Sequence, residues 1–314
     1  MLTLDNISKV YKVGTFGSQE LHAVRDVSFD VRDREILSLI GESGSGKSTI
    51  GKMILRLIST TRGSILFDGV DIATLKGPAL KEYYRRVQGV FQDPFSSYNP
   101  IFKADRIFRM VREEFFPGVA ASEWTGRVES ALRSVGLNPE HCLNKFPHQL
   151  SGGQLQRLLI ARALLLDVQF LVADEIISML DASTRIDVLN LLADLKASGL
   201  SVLFITHDLS LGYYISERAV ILYRGCVAEM GVTGRIYDEP LHPYTRMLMA
   251  SVPRLDKKWE EVEAQPPGNG RELPTGCAYY DRCPEPRKDA ECLAGNPRLV
   301  EVAPDHLVAC CKVG

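Results

Sequence analysis

The segment from Gly41 to Ser48 combines glycines, a lysine and a hydroxyl residue at a spacing that can bind phosphate. It reads GESGSGKS and matches the pattern G-x-x-x-x-G-K-S/T. Glycines let the backbone curl so that successive N–H groups point at phosphate oxygens, and a helix that starts there adds partial positive charge. Lys47 can reach the β- and γ-phosphates of a nucleotide, and Ser48 can bind Mg²⁺. The predicted phosphate site comprises Gly41, Glu42, Ser43, Gly44, Ser45, Gly46, Lys47, Ser48 and Thr49.

Two adjacent carboxylates follow the apolar run FLVA later in the chain. Asp174 can hold Mg²⁺ through water, and Glu175 can polarise an attacking water as a general base. An apolar strand that ends in two acids is, taken alone, usually a solvated turn. The phosphate pattern changes that balance, because Mg²⁺ and a base are what hydrolysis of a bound nucleotide requires.

The elements around these residues alternate between strands and helices. EILSLI, FLVADE and SVLFITH are nearly continuous apolar runs, which is typical of buried parallel strands. HAVRDVSFDV and SILFDG alternate instead and indicate half-buried antiparallel strands. One helix carries Val188, Leu191, Leu192 and Leu195 on one face and is predicted to end near Gly199.

The phosphate pattern is followed by apolar residues at helical spacing, and the helical face is predicted to comprise Ile50, Met53, Ile54, Leu57 and Ile58. Residues from about 93 to 166 are also mostly helical in pattern. The predicted fold class is therefore α/β, with a parallel sheet, an antiparallel β part and a helical subdomain.

Composition excludes several classes of protein. The 314 residues carry a net charge of -2 and no lysine/arginine block, so a nucleic-acid footprint is not expected. The first residues lack the pattern of a signal peptide, and no apolar run approaches the length of a membrane helix. We expect a cytosolic protein whose membrane contacts are made through partners.

Five of the seven cysteines lie between residues 277 and 311. In a reducing compartment, such clustering suggests a metal or redox site before a disulfide framework. The spacings C-x5-C, C-x8-C and C-x17-C are not the C-x2-C of zinc ribbons, and four thiolates suit either a 4Fe–4S cluster or Zn²⁺. Free or oxidised thiols are the third alternative. Cys142 and Cys226 are predicted to be packed side chains.

Between the phosphate pattern and Asp174, the segment LSGGQLQR resembles the signature motif of ATP-binding-cassette (ABC) ATPases. The resemblance covers about residues 1–250 and implies the ABC form of the P-loop fold, with ATP and Mg²⁺ as ligands. It implies that Tyr11 stacks on adenine and that Glu175 and His207 are catalytic, with His207 contacting the γ-phosphate. It also assigns Gln92 to sensing Mg²⁺ and water, so that Mg²⁺ is held by Ser48, Gln92 and Asp174.

Other residues are assigned by the same resemblance to the ATP bound by a second subunit. These are the signature residues Ser151, Gly152, Gly153 and Gln154. The resemblance separately assigns Asp181 to the D-loop. Ser151 can also cap the helix that follows it. One departure from the family pattern is that Ile176 and Ile177 stand where proline and threonine or valine are usual. We expect hydrolysis to persist, because both acids remain.

The segment LHPYTR, followed by SVP, resembles the end of the cassette in the oligopeptide/dipeptide subfamily of ABC importers. GCAYYDRCPEPRKDAEC with the last cysteines resembles that subfamily's C-terminal extension. The resemblance assigns Cys277, Cys283, Cys292 and Cys310 to one inorganic centre and favours a 4Fe–4S cluster over Zn²⁺; Cys311 stands where a histidine is common. A short tail buries little core of its own, so metal binding would help to fold it.

The resemblance implies an ATPase domain over residues 1–253, with its helical subdomain at about 93–166, and an extension over residues 254–314 that includes a charged, proline-rich arm. It implies a subunit that drives import of peptides, nickel or oligosaccharides by ATP-dependent dimer closure. The expected partners are a second ABC ATPase, by resemblance a different one, two transmembrane permease subunits and, indirectly, an extracytoplasmic solute-binding protein. The subunit would lie at the cytoplasmic face of the cell membrane, held there by the permeases.

Three other functions fit parts of the sequence. A non-transport ABC ATPase usually has two cassettes or a coiled-coil insertion, and neither is present. An exporter-type ATPase would not explain the HPYT segment and the clustered cysteines. A regulatory subunit that binds ATP with weak hydrolysis would be consistent with Ile176 and Ile177.

Overall fold

The computed structural model describes residues 1–14, 19–251, 276–284 and 290–313. The chain divides into two compact units. The first comprises residues 1–32, 36–73 and 204–314, and the second comprises residues 33–35 and 74–203. The predicted arm between the ATPase domain and the extension lies outside the described residues, so the boundary at residue 254 stays a prediction.

The strands of the described residues are β1 (Leu2–Val13), β2 (Gln19–Val31), β3 (Ile36–Ile40), β4 (Arg62–Phe67), β5 (Val70–Asp71), β6 (Val87–Val90), β7 (Phe170–Asp174), β8 (Ser201–Thr206), β9 (Arg218–Tyr223), β10 (Cys226–Val232), β11 (Val300–Ala303) and β12 (His306–Val308). The α-helices are α1 (Lys47–Ile54), α2 (Gly77–Arg86), α3 (Arg106–Phe115), α4 (Ala121–Ser134), α5 (Pro139–Cys142), α6 (Gly152–Leu164), α7 (Ala182–Ala197), α8 (Leu209–Ile215), α9 (Thr233–Asp238), α10 (Pro243–Ala250) and α11 (Ala290–Ala294).

The first unit contains an antiparallel sheet with the strand order β2-β1-β4-β5. The two strands predicted from alternating sequence, β2 and β4, are both present. Val24, Val27, Phe29 and Val31 of β2 are buried, whereas most of the residues between them are partly or fully exposed. The prediction of an antiparallel β part is confirmed.

The first unit also contains a mixed run of strands in the order β3-β9-β10-β12-β11. Strand β3 pairs with β9 in parallel, and all five of its residues are buried, as its apolar sequence predicts. The pairs β9–β10, β10–β12 and β12–β11 are antiparallel. Residues of the extension thus add two strands that the sequence analysis did not predict.

The second unit contains the parallel pair β6–β7 and the helices α2 to α7. Helices α3 to α6 occupy most of the stretch predicted to be helical. Helix α6 is buried along much of its length and packs against α4 and α3. Strand β8 contains residues of both units. The α/β fold class with a helical subdomain is confirmed.

Helix α1 is shorter than its sequence pattern predicts. It ends at Ile54, and Leu57, which belongs to the predicted helical face, lies beyond the helix and is 59% exposed. Arg56 adopts a left-handed backbone with φ of 52°. The N–H of Leu57 donates to the carbonyl of Lys52 (2.9 Å) and that of Arg56 to the carbonyl of Met53 (3.0 Å), which is a Schellman ending.

No helix of the described residues has both the length and the apolar character needed to cross a membrane.

Candidate functional site

The predicted phosphate loop connects the buried strand β3 to α1 in the first unit. Gly46 precedes the helix with φ of 106°, a conformation that side chains rarely tolerate. A Cβ on Gly46 would lie 2.4 Å from the carbonyl oxygen of Ala23, and one on Gly41 would lie 2.2 Å from that of Leu222. The backbone is therefore curled against its neighbours in a way that only glycine permits.

Lys47 lies across the loop with its side chain almost fully buried. Its ammonium Nζ donates hydrogen bonds to the carbonyl oxygens of Gly41 (2.7 Å) and Glu42 (3.0 Å). Ser45 is buried, Ser43 and Gly44 are exposed, and Ser48 and Thr49 at the start of α1 are half-buried. The sequence-predicted phosphate residues thus form one continuous loop with a cation held over it.

Tyr11 and His207 belong to the same unit as the phosphate loop. Tyr11 is half-buried on β1, and the Nζ of Lys9 lies 5.3 Å from the centre of its ring. His207 directly follows β8 and is exposed, and the next residue, Asp208, caps α8 by accepting hydrogen bonds from its N–H groups.

The predicted Mg²⁺ and base residues lie at the end of β7 in the second unit. Asp174 is the last residue of the strand and is buried. Glu175 has a left-handed backbone with φ of 50°, and its carbonyl accepts hydrogen bonds from the hydroxyl (2.9 Å) and N–H (3.1 Å) of Ser178. Ile176 and Ile177, which replace the usual residues, are both buried and pack in the core.

The signature residues begin helix α6, also in the second unit. The Ser151 side chain accepts a hydrogen bond from the N–H of Gln154, and the Gln154 side chain accepts one from the N–H of Ser151. This reciprocal capping confirms the predicted cap. A Cβ on Gly153 would lie 2.6 Å from Cγ2 of Thr184, so this glycine allows α6 to approach α7 closely; Gly152 has ordinary clearance.

Asp181 caps helix α7 in the same unit. Its carboxylate accepts hydrogen bonds from the hydroxyl of Ser183 and from the N–H and hydroxyl of Thr184. These bonds lower the pKa of Asp181 to about 2. Gln92 lies in the exposed loop after β6, and large apolar side chains are exposed in the segment that follows: Phe95, Ile101 and Phe102.

Five thiols of the extension line one partly open cavity. They are Cys277, Cys283, Cys292, Cys310 and Cys311. The Sγ atoms of Cys292 and Cys311 are 2.8 Å apart. Burial raises the pKa of Cys277, and burial with the neighbouring Cys292 raises that of Cys311 to about 12.

Within the ranges that the structure describes, no three or more histidine, cysteine, aspartate or glutamate side chains are grouped so that they could hold a metal ion. The predicted four-cysteine metal site is therefore not supported as a preformed arrangement. Cys311, which was outside the predicted set, contacts Cys292. The five thiols nevertheless line the same cavity. Cys142 and Cys226 are buried in the core, as predicted.

Two groups of residues in the first unit are not marked by any sequence motif. Glu229 accepts hydrogen bonds from the N–H groups of Leu241 and His242 and contacts His306. Arg282 of the extension forms an ion pair with Glu42 of the phosphate loop. No local pattern marks either group, because the partners are far apart in the sequence.

Comparison with known proteins gives two family matches. Residues 24–178 match the family described as ABC transporter. Residues 228–292 match the family described as Oligopeptide/dipeptide transporter, C-terminal region.

Similar proteins match most or nearly all of the chain. A putative peptide import ATP-binding protein of Brucella ovis is 40% identical over 320 residues, which cover 99% of this chain and 98% of the relative. The oligopeptide transport ATP-binding protein OppF of Bacillus subtilis is 40% identical over 290 residues, covering 92% and 90%. A solved dimer of the ATP-binding cassette MJ0796 with ADP and phosphate has a TM-score of 0.66 and 30% identity, covering 74% of this chain and 99% of that one.

Proposed function

The chain belongs to the family of ABC transporter ATP-binding proteins, and from this we propose that it is the ATP-hydrolysing subunit of an importer for peptides or a related solute such as nickel or an oligosaccharide. The observation that carries the proposal is the loop from Gly41 to Ser48, where backbone contacts that only glycine permits and the buried Lys47 cation lie together at the start of α1. Such an arrangement is suited to binding the phosphates of a nucleotide. The match of residues 228–292 to the oligopeptide/dipeptide C-terminal region supports the importer class.

The ATP site is proposed to use the residues that the family resemblance assigns to it. The loop from Gly41 to Thr49 binds the phosphates, and Tyr11 stacks on adenine. Ser48, Gln92 and Asp174 are assigned to Mg²⁺. Glu175 acts as the base toward water, and His207 contacts the γ-phosphate.

Dimer closure is proposed to couple hydrolysis to transport. Residues Ser151 to Gln154 would face the γ-phosphate bound by a second cassette, since the first N–H groups of α6 form a ready anion site. Asp181, which caps α7, lies in the D-loop. The dimeric MJ0796 cassette with ADP and phosphate supports a dimer. We expect ATP to favour the closed state and hydrolysis to reopen it.

Replacing the proposed base tests the hydrolytic function. In the assembled importer, Glu175→Gln is expected to keep ATP binding and to lower turnover by about 100-fold or more. In the absence of the permeases, the cassettes are expected to accumulate with ATP as a closed dimer measurable by light scattering. Glu113→Gln on α3 removes an exposed acid and serves as the control. Normal turnover of Glu175→Gln would refute the assigned role.

The proposed partners are a second cassette, different from this one, two transmembrane permeases and, indirectly, a solute-binding protein. The exposed apolar side chains that follow Gln92 support docking to the permeases through about residues 91–108. The subunit would then lie peripherally at the cytoplasmic face of the membrane.

The extension is proposed to hold a 4Fe–4S cluster through Cys277, Cys283, Cys292 and Cys310, with Zn²⁺ as the alternative. Such a centre would cross-link the extension. Protein purified without oxygen tests the assignment by its visible spectrum and by assays of iron, sulfide and zinc. About four iron and four sulfide per chain would support the cluster, stoichiometric zinc would support the alternative, and neither metal would refute both.

A regulatory subunit with weak hydrolysis is the second candidate, and the replacement of proline at Ile176 favours it. The ATPase rate of the complex separates the two candidate functions, provided that this cassette is the only one able to hydrolyse ATP. A rate near zero would favour the regulatory function.

A further inference from the structure

The cysteine-rich extension reaches the phosphate loop through one ion pair. Nη1 of Arg282 donates to Oε2 of Glu42 (2.9 Å), and Nη2 donates to Oε1 (3.1 Å). The arrangement is bidentate, and the two side chains are 16% and 40% exposed respectively. Paired hydrogen bonds of this kind fix the direction of both groups as well as attracting them.

Aromatic rings of the same unit hold this pair in place. The guanidinium of Arg282 lies 5.8 Å from the ring centre of Tyr223 and 5.9 Å from that of Tyr279. Tyr244 packs against both rings, and its hydroxyl accepts a hydrogen bond from the N–H of Glu42 (3.0 Å). Both the backbone and the side chain of Glu42 are therefore bound by residues C-terminal to the cassette's last strands.

We propose that Arg282 is a positioning residue for nucleotide binding, which holds the Glu42 carboxylate and neutralises it beside the phosphate loop. The proposal rests on the function proposed above, since it requires the loop to bind a nucleotide. It adds a role for the extension: the state of its thiols affects nucleotide affinity through Arg282.

The electrostatic reason is that Glu42 is an acid within a loop built for anions. An unpaired carboxylate there would repel the phosphates of ATP, and the repulsion is only weakly screened at short range. Arg282 neutralises this charge, and Lys47 bonds to the backbone carbonyls of the same loop. Loss of Arg282 would restore the repulsion.

Arg282 is close in sequence to two of the cavity thiols. Arg282 ends a 3₁₀ turn (Tyr280–Arg282), and Cys277 and Cys283 flank that turn while lining the cavity. The N–H of Cys277 donates to the carbonyl of Cys292 (2.8 Å), and that of Cys283 donates to the carbonyl of Tyr280 (3.2 Å). A change at these thiols therefore acts on the backbone that carries the guanidinium.

The test measures the Kd of a fluorescent ATP analogue with Mg²⁺ for the full-length protein. Arg282→Gln is expected to weaken binding about tenfold, whereas adding Glu42→Gln to it recovers most of the lost affinity because no unpaired carboxylate remains. Arg282→Lys keeps the positive charge but loses the bidentate hydrogen bonds, and its affinity is expected to lie between those of the wild type and Arg282→Gln. In the assembled importer, the KM for ATP should rise more than kcat falls.

Arg32→Gln is the matched control, because it breaks another ion pair to the extension, with Asp305 (2.8 Å), and is expected to leave affinity within about twofold. Circular dichroism and thermal unfolding confirm that each variant is folded. A double variant that binds no better than Arg282→Gln, or an Arg282→Gln variant with unchanged affinity, would overturn the proposal. A wild-type protein that binds no nucleotide would instead refute the proposed function.

A double-mutant cycle tests whether the thiols act through Arg282. Cys283→Ser is expected to weaken binding several-fold in the wild-type background and to add less than about twofold in the Arg282→Gln background. Equal effects in both backgrounds would show that the thiols do not act through Arg282 and would overturn that part of the proposal.

Discussion

Nε2 of His306 lies 2.7 Å from Oε1 of Glu229, and both side chains are almost completely buried. Glu229 lies on β10 and His306 on β12, so the pair connects the extension to the rest of the first unit. The same carboxylate accepts the N–H groups of Leu241 and His242 ahead of α10. The Glu229 carboxylate therefore contacts both the segment that begins at Leu241 and the C-terminal extension, the two segments that resemble the peptide-importer subfamily.

We expect Glu229→Ala to lower the free energy of unfolding by about 3 kcal/mol, because it leaves buried donors without an acceptor. Urea denaturation followed by circular dichroism measures the change. Glu239→Ala, which removes an exposed glutamate nearby, is expected to change stability by less than about 0.5 kcal/mol. Equal midpoints for the two variants would contradict this account.

The buried imidazole of His242 predicts a loss of stability in weak acid. Burial and the nearby Arg246 lower its pKa from 6.5 to about 4, and its Nδ1 accepts the N–H of Tyr244 (3.0 Å). As pH falls, the unfolded chain binds a proton first. Stability from this site is therefore complete above pH 6.5 and is lost progressively as pH falls toward 4, by up to about 3 kcal/mol.

His242→Asn should flatten that dependence, since asparagine can accept the same N–H without titrating. Urea midpoints at pH 7 and pH 4.5 measure the difference. His148→Asn changes an exposed histidine and should retain the wild-type profile. A His242→Asn protein with the same acid sensitivity as wild type would show that other groups cause it.

The Ser151 cap allows stability and activity to be separated. Ser151→Ala is expected to cost about 1 kcal/mol, because the N–H of Gln154 loses its acceptor. Ser151→Asp keeps an acceptor and should preserve stability, but its charge would face the phosphate of the partner's ATP and lower turnover about tenfold or more. Thermal unfolding and ATPase assays on the complex measure both. Full activity of Ser151→Asp would argue against a phosphate-facing role.

Lys47 and Lys52 lie on the same helix and form a matched pair for testing the phosphate loop. Lys47→Ala removes a buried cation that bonds to two loop carbonyls, and ATP affinity is expected to fall about 100-fold. Lys52→Ala removes an exposed cation one turn later and should change affinity less than about twofold. Isothermal titration with ATP and Mg²⁺ compares them, and similar losses would indicate a general charge effect.

Two helix endings show what the sequence could and could not predict. Helix α7 was predicted to end near Gly199, and it does: Gly199 has φ of 111°, and the N–H of Leu200 donates to the carbonyl of Leu195. Helix α1 ends by the same motif, but with Arg56 in the left-handed position. Since arginine is a good helix former, no residue type marked that ending.

The features of the candidate site also divide into those that the sequence predicts and those that it does not. Contiguous motifs such as the phosphate loop and the Ser151 cap were predictable, because their geometry depends on neighbours in the chain. The ion pair of Arg282 with Glu42 joins residues 240 positions apart, and that of His306 with Glu229 joins residues 77 apart. Such pairs follow from tertiary packing, which periodicity and spacing do not encode.

Strand β12 has a consequence for any shortened form of this protein. It covers the side of β10 that is not paired with β9, with Glu229 opposite Val308 and Gly231 opposite His306. A chain cut before these residues would expose a row of unpaired amide and carbonyl groups, which is a template for strand addition by another molecule. We therefore expect tail-less protein to self-associate more readily than the full-length protein, with β-rich aggregates forming on gentle warming.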